Sequence, residues 1–180
     1  MFSKVFLTGK PGVGKTTVLK NIISSLKEKG YSVGGMVTFE VREKGARIGF
    51  EVIDIQTGHR GTLASVKYKT GPRLGKYRIN LEDLESVGIS AVRLAAEKAD
   101  VVIVDEVGPM ELFSLEFKRT VERLLESGKT LVGVVHYRAD DLLIRKLKAT
   151  QYVRVIEVTP ENREHIHEDI ISMLEVSPNQ

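Results

Sequence analysis

Eight residues near the start of the chain have the types and spacing that bind a polyphosphate. The segment Gly9-Lys10-Pro11-Gly12-Val13-Gly14-Lys15-Thr16 contains a glycine, four further residues, and then Gly-Lys-Thr. Glycines let the backbone curl so that successive N–H groups point inward, the lysine adds a mobile positive charge, and the threonine hydroxyl is a ligand for Mg²⁺. The segment therefore predicts a site for the phosphates of a nucleoside triphosphate, with a glycine-rich turn as the plain alternative.

A pair of adjacent carboxylates supplies the second part of this chemistry. Asp105 and Glu106 follow four consecutive β-branched residues, Val101 to Val104, which are typical of a strand buried on both faces. An acidic residue at the end of such a strand faces the ligand crevice of a parallel sheet. We expect Asp105 to hold Mg²⁺ through water and Glu106 to orient or deprotonate an attacking water. The alternative is that both carboxylates begin a solvated loop.

Several other polar residues are weaker candidates. Asp105 to Gly108 fits the Asp-x-x-Gly loop of GTPases, in which the glycine N–H contacts the γ-phosphate, but no Asn-Lys-x-Asp segment selects guanine. Glu111 is either close to this loop or on the surface. His136 follows a predicted strand and is a candidate sensor of the γ-phosphate, or a loop histidine without that duty. The candidates for neutralising charge in the transition state are Arg73, Arg138 and Arg145.

A basic segment, Lys67 to Arg78, carries five positive charges, no acidic residue and two tyrosines. Such a segment lines a nucleotide pocket in some proteins and holds single-stranded nucleic acid by stacking and charge in others. A basic loop with partly packed tyrosines is an equal alternative.

Alternating strands and helices are predicted around these residues. A β-branched and aromatic stretch ending at Leu7 precedes the glycine-rich segment, and a helix with one apolar face follows it and ends near Gly30. From Val33 to Ser65 the apolar residues alternate, with a turn at Glu43 to Gly45, which predicts a β-hairpin and a further short strand. We expect this hairpin insertion to occupy about residues 33–66.

The second half of the chain continues the alternation. Its predicted elements are a helical stretch from Asn80 to about Ala99 interrupted near Gly88, the strand Val101 to Val104, a helix capped by Ser114, the strand Leu131 to Val135, a short helix Asp140 to Lys148, the strand Tyr152 to Val158, and a last helix begun by Thr159 and Pro160. Helices that alternate with apolar strands imply a mostly parallel sheet. The predicted fold class is α/β: one domain over residues 1–180 with the three-layer, RecA/ASCE-like P-loop NTPase fold and an added antiparallel hairpin.

Composition excludes several classes of protein. The chain has 180 residues and no cysteine, so disulfides, thiolate metal sites and cysteine nucleophiles are excluded. No apolar run approaches the ~20 residues that span a bilayer, and no cleavable leader precedes the first strand, so we expect a cytoplasmic protein without membrane contact. The net charge of +3 is mild. Nucleic acid therefore stays open as a partner without being indicated, and a monomer is expected.

Taken together, these residues resemble one family, the THEP-type nucleoside-triphosphatases, which include the cancer-related nucleoside triphosphatase of animals and counterparts in thermophilic prokaryotes. The resemblance covers nearly the whole chain. It rests on Thr8 to Thr17, on Phe39-Glu-Val-Arg42 with Gly49-Phe50 and Leu63-Ala64, on Gly75-Lys76-Tyr77, and on Asp105-Glu-Val-Gly-Pro-Met-Glu-Leu112. The last segment is the most specific, because many superfamilies share the glycine-rich loop.

The resemblance implies an ATPase-like α/β fold and Mg²⁺-dependent hydrolysis of ATP, GTP and other nucleoside triphosphates with little base selectivity. It implies metal binding by Thr16 and Asp105 and catalysis by Glu106. With the reasoning from the residues, the catalytic candidates are Lys15 and Glu106. The nucleotide-binding candidates are Gly9, Lys10, Pro11, Gly12, Val13, Gly14, Lys15, Thr16, Thr17, Asp105, Glu106 and Gly108.

Two other functions stay open at this point. One is a small-molecule or nucleoside kinase, in which the same loop delivers the γ-phosphate to a hydroxyl bound near Lys67 to Arg78. The other is a nucleic-acid-associated ATPase or regulatory switch whose hydrolysis depends on a partner. A product other than free phosphate would indicate the first, and salt-sensitive stimulation by RNA or single-stranded DNA would indicate the second.

Overall fold

Nine strands form a continuous sheet in the computed structural model, which describes residues 3–176. In chain order they are β1 (Lys4–Thr8), β2 (Val33–Glu43), β3 (Ala46–Asp54), β4 (Arg60–Ser65), β5 (Arg73–Leu74), β6 (Tyr77–Ile79), β7 (Val101–Val107), β8 (Thr130–Val135) and β9 (Val153–Glu157). Their order across the sheet is β5-β6-β4-β3-β2-β7-β8-β1-β9. Strands β2, β7, β8, β1 and β9 pair in parallel, and β3 to β6 extend the sheet in antiparallel fashion.

Helices cover both faces of the parallel strands. They are α1 (Lys15–Glu28), α2 (Leu81–Asp83), α3 (Ser90–Lys98), α4 (Leu115–Glu126), α5 (Leu142–Ala149) and α6 (Ile166–Met173), with a π-helical segment Leu84–Ile89 joining α2 to α3 and a 3₁₀ turn at Glu111–Phe113. Apolar residues of α1 and α6 pack in one core, and those of α3, α4 and α5 pack in the other. The predicted three-layer α/β fold is therefore confirmed. Among residues 3–176, no helix has both the length and the apolar character needed to cross a bilayer.

Strand β7 separates the two cores, as its run of β-branched residues predicts. Val102 and Val104 point into the core that contains α3 to α5, whereas Val101 and Ile103 point into the core that contains α1 and α6. All four side chains are completely buried. Burying both faces of a strand in this way stabilises it by roughly 1.5–3 kcal/mol for each large aliphatic side chain, and it fixes where the carboxylates that follow the strand emerge.

Strand β8 lies between β1 and β7, and this order places the candidate residues. Val132 of β8 is in register with Val5 of β1 on one side and with Ile103 of β7 on the other. Because the three strands are parallel, the glycine-rich loop after β1, His136 after β8 and Asp105 near the end of β7 all meet at one edge of the sheet.

The predicted hairpin is present, and its first strand has two partners. Residues 33–36 of β2 pair in parallel with β7, and residues 36–43 pair with β3 in antiparallel fashion. The hairpin therefore extends a strand of the central sheet and projects beyond the edge where the loop lies. Its turn contains Lys44 and Gly45, both with positive φ angles.

The predicted starts of two helices are confirmed by side-chain caps, and the predicted start of a third helix is not. Asn80 accepts a hydrogen bond from the N–H of Asp83, and Ser114 accepts one from the N–H of Phe117. The expectation that Thr159 and Pro160 begin the last helix is wrong, since α6 begins at Ile166. Asn162 explains the difference: its side chain accepts from the N–H of Thr159 and donates to the carbonyl of Glu157, which holds this segment in a turn.

Gly35 is a position at which any side chain should destabilise the fold. Its φ angle is 115°, and a Cβ there would overlap the carbonyl oxygen of Ile103 on the neighbouring strand. We expect Gly35→Ala to lower the free energy of unfolding by about 2–4 kcal/mol, from backbone strain plus displacement of β7. Gly128→Ala is the control, because a Cβ at Gly128 meets open space. Chemical denaturation measures both, and equal midpoints for the two variants would contradict this packing.

Candidate functional site

The glycine-rich loop follows β1 and curls around the N-terminus of α1. Gly9, Gly12 and Gly14 have φ angles of 143°, 76° and 115°, in the region that favours glycine. A Cβ at Gly9 would lie 2.6 Å from the carbonyl oxygen of Val158 at the end of β9. Within residues 3–176, no side chain caps the first turn of α1. The amides of this turn and the positive end of the helix dipole are therefore directed at the loop, which suits an anion.

Lys15 begins α1, and its ammonium group reaches back across the loop. Its Nζ donates hydrogen bonds to the carbonyl oxygens of Gly9 at 2.8 Å and Lys10 at 3.0 Å. Burial lowers the pKa of Lys15, whereas the negative charges of Glu106 and Asp105 raise it. The positive charge thus lies between the loop carbonyls and two carboxylates, where it can exchange a carbonyl for a phosphate oxygen.

Asp105 lies near the end of β7 and is 5% exposed. Its carboxylate accepts a hydrogen bond from the backbone N–H of Thr38. Burial, and then the negative charge of Glu106, raise the pKa of Asp105 to about 7, against the opposing effects of that hydrogen bond and Lys15. Thr16 lines the same cavity as Asp105. The hydroxyl and the carboxylate expected to bind a metal therefore share one cavity.

Glu106 is the next residue of β7, and its carboxylate lies against Gly108. Burial raises the pKa of Glu106, and the positive charge of Lys15 lowers it. A Cβ at Gly108 would lie 2.5 Å from Oε1 of Glu106 and 3.0 Å from its carboxyl carbon. Glycine at this position therefore leaves room for the carboxylate to fold back over the backbone.

Glu111 is a third carboxyl group in the same region, and it is buried rather than on the surface, with 3% exposure. Its carboxylate accepts hydrogen bonds from its own N–H and from that of Gly108. Burial raises the pKa of Glu111 well above its usual value, and Glu106 and Asp105 raise it further. The raised pKa favours the protonated form of this carboxyl group. Its hydrogen bond from Gly108 stabilises the loop that contains this glycine.

His136 lies directly after β8, between the glycine-rich loop and β7. Its backbone N–H donates to the carbonyl of Val107, and its Nδ1 accepts from the N–H groups of Arg138 at 3.2 Å and Ala139 at 2.9 Å. Because Nδ1 acts as an acceptor, the neutral ring carries its proton on Nε2. Burial, followed by the charges of Lys15 and Lys148, lowers the pKa of His136 and favours this neutral form.

The three candidate arginines occupy different places. Arg138 lines a cavity of about 350 Å³ together with Lys10, Lys15 and Glu106. Arg145 is ion-paired with Asp140 on the surface. Arg73 lies on β5, donates to the carbonyl of Gly75, and is absent from the residues of 3–176 that line the cavities beside the loop. The structure thus brings one of the three to the loop.

Arg163 also reaches the loop, although no sequence motif indicates it. Its Nη1 lies 3.5 Å from the carbonyl oxygen of Val13, and its Cδ lies 3.5 Å from the position of a Cβ on Gly14. Arg163 belongs to the turn after β9. Only the pairing of β9 beside β1 brings this turn to the glycine-rich loop, so no pattern within a short stretch of sequence could have revealed the contact.

A second, larger cavity of about 700 Å³ extends from the glycine-rich loop toward the β2–β3 hairpin. Its inner end is lined by Lys15, Thr16, Asp105, Glu106 and His136. Of the sequence candidates, five side chains from three separate strand ends are therefore gathered around one space. The glycine-rich loop with its lysine follows one parallel strand, the acidic pair lies at the end of another, and one strand lies between the two. This arrangement defines a P-loop protein of the RecA-like class.

Comparisons with known proteins agree with this class. A model of the NTPase family matches residues 4–171. The chain is 42% identical over 171 residues to the nucleoside-triphosphatase THEP1 of Methanothermobacter thermautotrophicus, with 95% of each chain covered, and 44% identical over 166 residues to that of Thermofilum pendens, with 91% of each covered. The chain therefore belongs to the NTPase family.

Two solved structures share the fold over nearly the whole chain. The crystal structure of THEP1 from Aquifex aeolicus superposes with a TM-score of 0.83 at 32% identity, covering 96% of this chain and 99% of that one. The solution structure of a human cancer-related nucleoside triphosphatase superposes with a TM-score of 0.79 at 36% identity, covering 94% and 95%. The resemblance stated from the sequence motifs is thereby confirmed.

Proposed function

We propose that this chain, acting as one domain, is a Mg²⁺-dependent nucleoside triphosphatase that accepts several bases and releases nucleoside diphosphate and phosphate. The observation that carries the proposal is that Lys15 and Glu106 line one cavity with Thr16 and Asp105. A group that binds phosphate and a group that activates water thus face the same space. The names of the relatives, nucleoside-triphosphatases at 42% and 44% identity, support the same reaction.

The triphosphate is bound by the loop amides, the N-terminus of α1 and the ammonium group of Lys15. In this arrangement Lys15 gives up its hydrogen bonds to Gly9 and Lys10 for oxygens of the β and γ phosphates. Charge that builds on these oxygens in the transition state is stabilised by donors that are already in place. The Nε2–H of His136 is a further donor at the same cavity, in the sensor role expected from the sequence.

The residues beside the loop fit a magnesium ion. Hydroxyl and carboxylate oxygens are the donors this ion prefers, and it keeps several water and phosphate ligands. Thr16 and Asp105 offer those donors, and Asp105 is a buried carboxylate, which is unfavourable unless a cation lies near it. Within residues 3–176, no cluster of three metal-binding side chains occurs, which agrees with a metal held largely by phosphate and water. When bound, Mg²⁺ neutralises charge on the phosphates.

Glu106 takes the proton from the attacking water. Burial raises the pKa of its carboxyl group and makes the carboxylate a stronger base, while the positive charge of Lys15 opposes this rise and favours the ionised form. The new bond joins the water oxygen to the γ-phosphorus, and the bond from that phosphorus to the bridging oxygen of the β-phosphate breaks. Every one of these contacts is made to phosphate or water, which is the reason to expect little selection among bases.

Phosphate release from ATP, GTP, CTP and UTP, with magnesium and with EDTA, tests the proposal. We expect kcat/KM values within about tenfold of one another, since base selection worth less than ~1.4 kcal/mol requires no dedicated contact. EDTA should abolish turnover. No release from any triphosphate would contradict the proposed reaction, and equal release in EDTA would remove the metal from it.

Replacement of Glu106 separates binding from hydrolysis. Glu106→Gln removes the base without changing the size of the side chain, so we expect turnover to fall by about 10²–10⁴-fold. The affinity for a non-hydrolysable ATP analogue, measured by calorimetry, should stay within about threefold, or ~0.7 kcal/mol. Glu168→Gln, an exposed position on α6, is the matched control. Unchanged turnover in Glu106→Gln would remove this residue from the mechanism.

Gly108→Ala tests whether glycine places the Glu106 carboxylate. The added methyl group overlaps that carboxylate, and a displacement of ~1 Å costs up to about 10²-fold in rate. We therefore expect kcat to fall at least tenfold at nearly unchanged stability, because the flexible side chain moves instead of the backbone. Gly128→Ala serves again as the control. Full activity in Gly108→Ala would show that the carboxylate does not need this space.

A further inference from the structure

The 700 Å³ cavity, which we call the hairpin cavity, begins at the reactive end of the site. Lys15 reaches the β and γ phosphates of a bound triphosphate, and Glu106 lies where the nucleophile attacks. Both residues line the inner end of the hairpin cavity. The cavity therefore opens at the terminal phosphate, on the side from which a nucleophile approaches.

The hairpin cavity as a whole is larger than an attacking water requires, and part of its wall is apolar. Its walls include Phe39, Phe50, Leu63, Leu74 and Met110. A water molecule occupies ~30 Å³, whereas cavities of roughly 300–1,000 Å³ with mostly apolar walls are typical of small organic ligands. A water molecule has no apolar surface to bury against this wall, whereas an organic nucleophile does. The wall therefore suits a carbon-containing nucleophile.

A positively charged group lies on the same wall. Nη1 of Arg47 and Nη2 of Arg42 each lie 2.7 Å from the carboxylate of Glu40, so two guanidinium groups share one carboxylate. Nε of Arg47 donates to the hydroxyl of Tyr77 at 2.9 Å. Arg47 and Glu40 both line the cavity. Glu40 is shared with Arg42, which is not among the residues of 3–176 that line the cavity, so its single negative charge neutralises Arg47 only in part. Arg47 is therefore the group on this wall that can pair with an anionic part of a ligand.

Aromatic contacts hold Arg47 and Phe50 in position. The rings of Phe50 and Tyr77 meet edge to face with centroids 5.3 Å apart, and the guanidinium group of Arg47 lies 5.2 Å from the centroid of Phe50. Lys76 donates to the carbonyl of Arg47 at 2.9 Å and adds a further positive charge. Leu74, Lys76 and Tyr77 come from the basic segment, whose position is thereby explained: it backs the wall of the hairpin cavity.

We propose that the hairpin cavity binds a second substrate of nucleotide size, a molecule with a flat ring, an anionic group and a free hydroxyl, and that the γ-phosphoryl group is transferred to this hydroxyl. The ring packs against Phe39 and Phe50, the anionic group pairs with Arg47, and the hydroxyl lies at Glu106. The hydroxyl oxygen forms a bond to the γ-phosphorus, the bond to the bridging oxygen breaks, nucleoside diphosphate leaves, and the hydroxyl proton passes to Glu106. The inference rests on the proposed triphosphatase chemistry, with water as the acceptor when the cavity holds no second substrate.

Nucleoside 3′-monophosphates are the probes, because each has a flat base, an anionic group and a free 5′-hydroxyl. Diphosphate formed from ATP and phosphate released are measured in the same sample, and mass spectrometry follows nucleoside 3′,5′-bisphosphate. We expect saturating probe to lower the ratio of phosphate to ADP from one to below one half. 2′,3′-Dideoxynucleoside 5′-monophosphates, which keep the base and the anionic group but have no free hydroxyl, should leave the ratio at one, and uncharged nucleosides should need at least tenfold higher concentrations.

Two variants assign the effect to the hairpin cavity. Arg47→Gln should raise the KM for the 3′-monophosphate at least tenfold and the KM for ATP less than threefold. Arg60→Gln is the matched control, since Arg60 pairs with Glu51 on the surface and is absent from the cavity lining within residues 3–176. Leu74→Trp, which fills the cavity without removing a charge, should lower bisphosphate formation at least tenfold.

The outcomes distinguish this inference from the proposed function. A phosphate-to-ADP ratio of one with every 3′-monophosphate overturns the second substrate while leaving hydrolysis intact. Bisphosphate formation that is unaffected by Arg47→Gln and by Leu74→Trp also overturns the assignment to the hairpin cavity. A protein that forms no ADP without probe contradicts the proposed function instead.

Discussion

A loop whose main-chain amides all face a polyphosphate needs positive φ angles, which glycine adopts far more readily than other residues. The arrangement of the proposed site depends on this loop conformation. Gly9, Gly12 and Gly14 supply the positive φ angles, and Gly9 also lies too close to the carbonyl of Val158 for any side chain. The N-terminus of α1 then directs its free amides at the loop. The ammonium group of Lys15, which can exchange its loop carbonyls for phosphate oxygens, completes the proposed site.

The order of strands brings the carboxylates of β7 to the edge of the sheet where this loop lies. Because β8 separates β1 from β7, one strand width lies between the loop and the carboxylates Asp105 and Glu106. That gap holds His136 and opens into the hairpin cavity. Burial of β7 on both faces keeps the two carboxylates at a fixed depth, and loss of solvent contact raises the pKa values of both. One acidic pair thus serves both the proposed metal and the proposed proton transfer.

Sequence reasoning located the features whose signals lie in consecutive residues. The loop, the acidic pair, the alternating elements and the hairpin all follow from local patterns. It failed where a short polar side chain redirects the backbone, as Asn162 does before α6. It could not find the hairpin cavity, whose wall joins Phe39, Arg47 and Leu74 from three strands, because no spacing rule connects residues that only the sheet brings together. The overlap that a Cβ at Gly108 would make with the Glu106 carboxylate is likewise visible only in the three-dimensional structure.

The central claim is that main-chain amides of the loop bind the phosphates. Nuclear magnetic resonance of ¹⁵N-labelled protein, titrated with inorganic tripolyphosphate and magnesium, tests it most directly, since this probe has no base or sugar. The account predicts that the largest amide shifts fall on residues 12–17 and saturate together. Unchanged loop resonances at saturating tripolyphosphate, or larger shifts elsewhere in the chain, would contradict it.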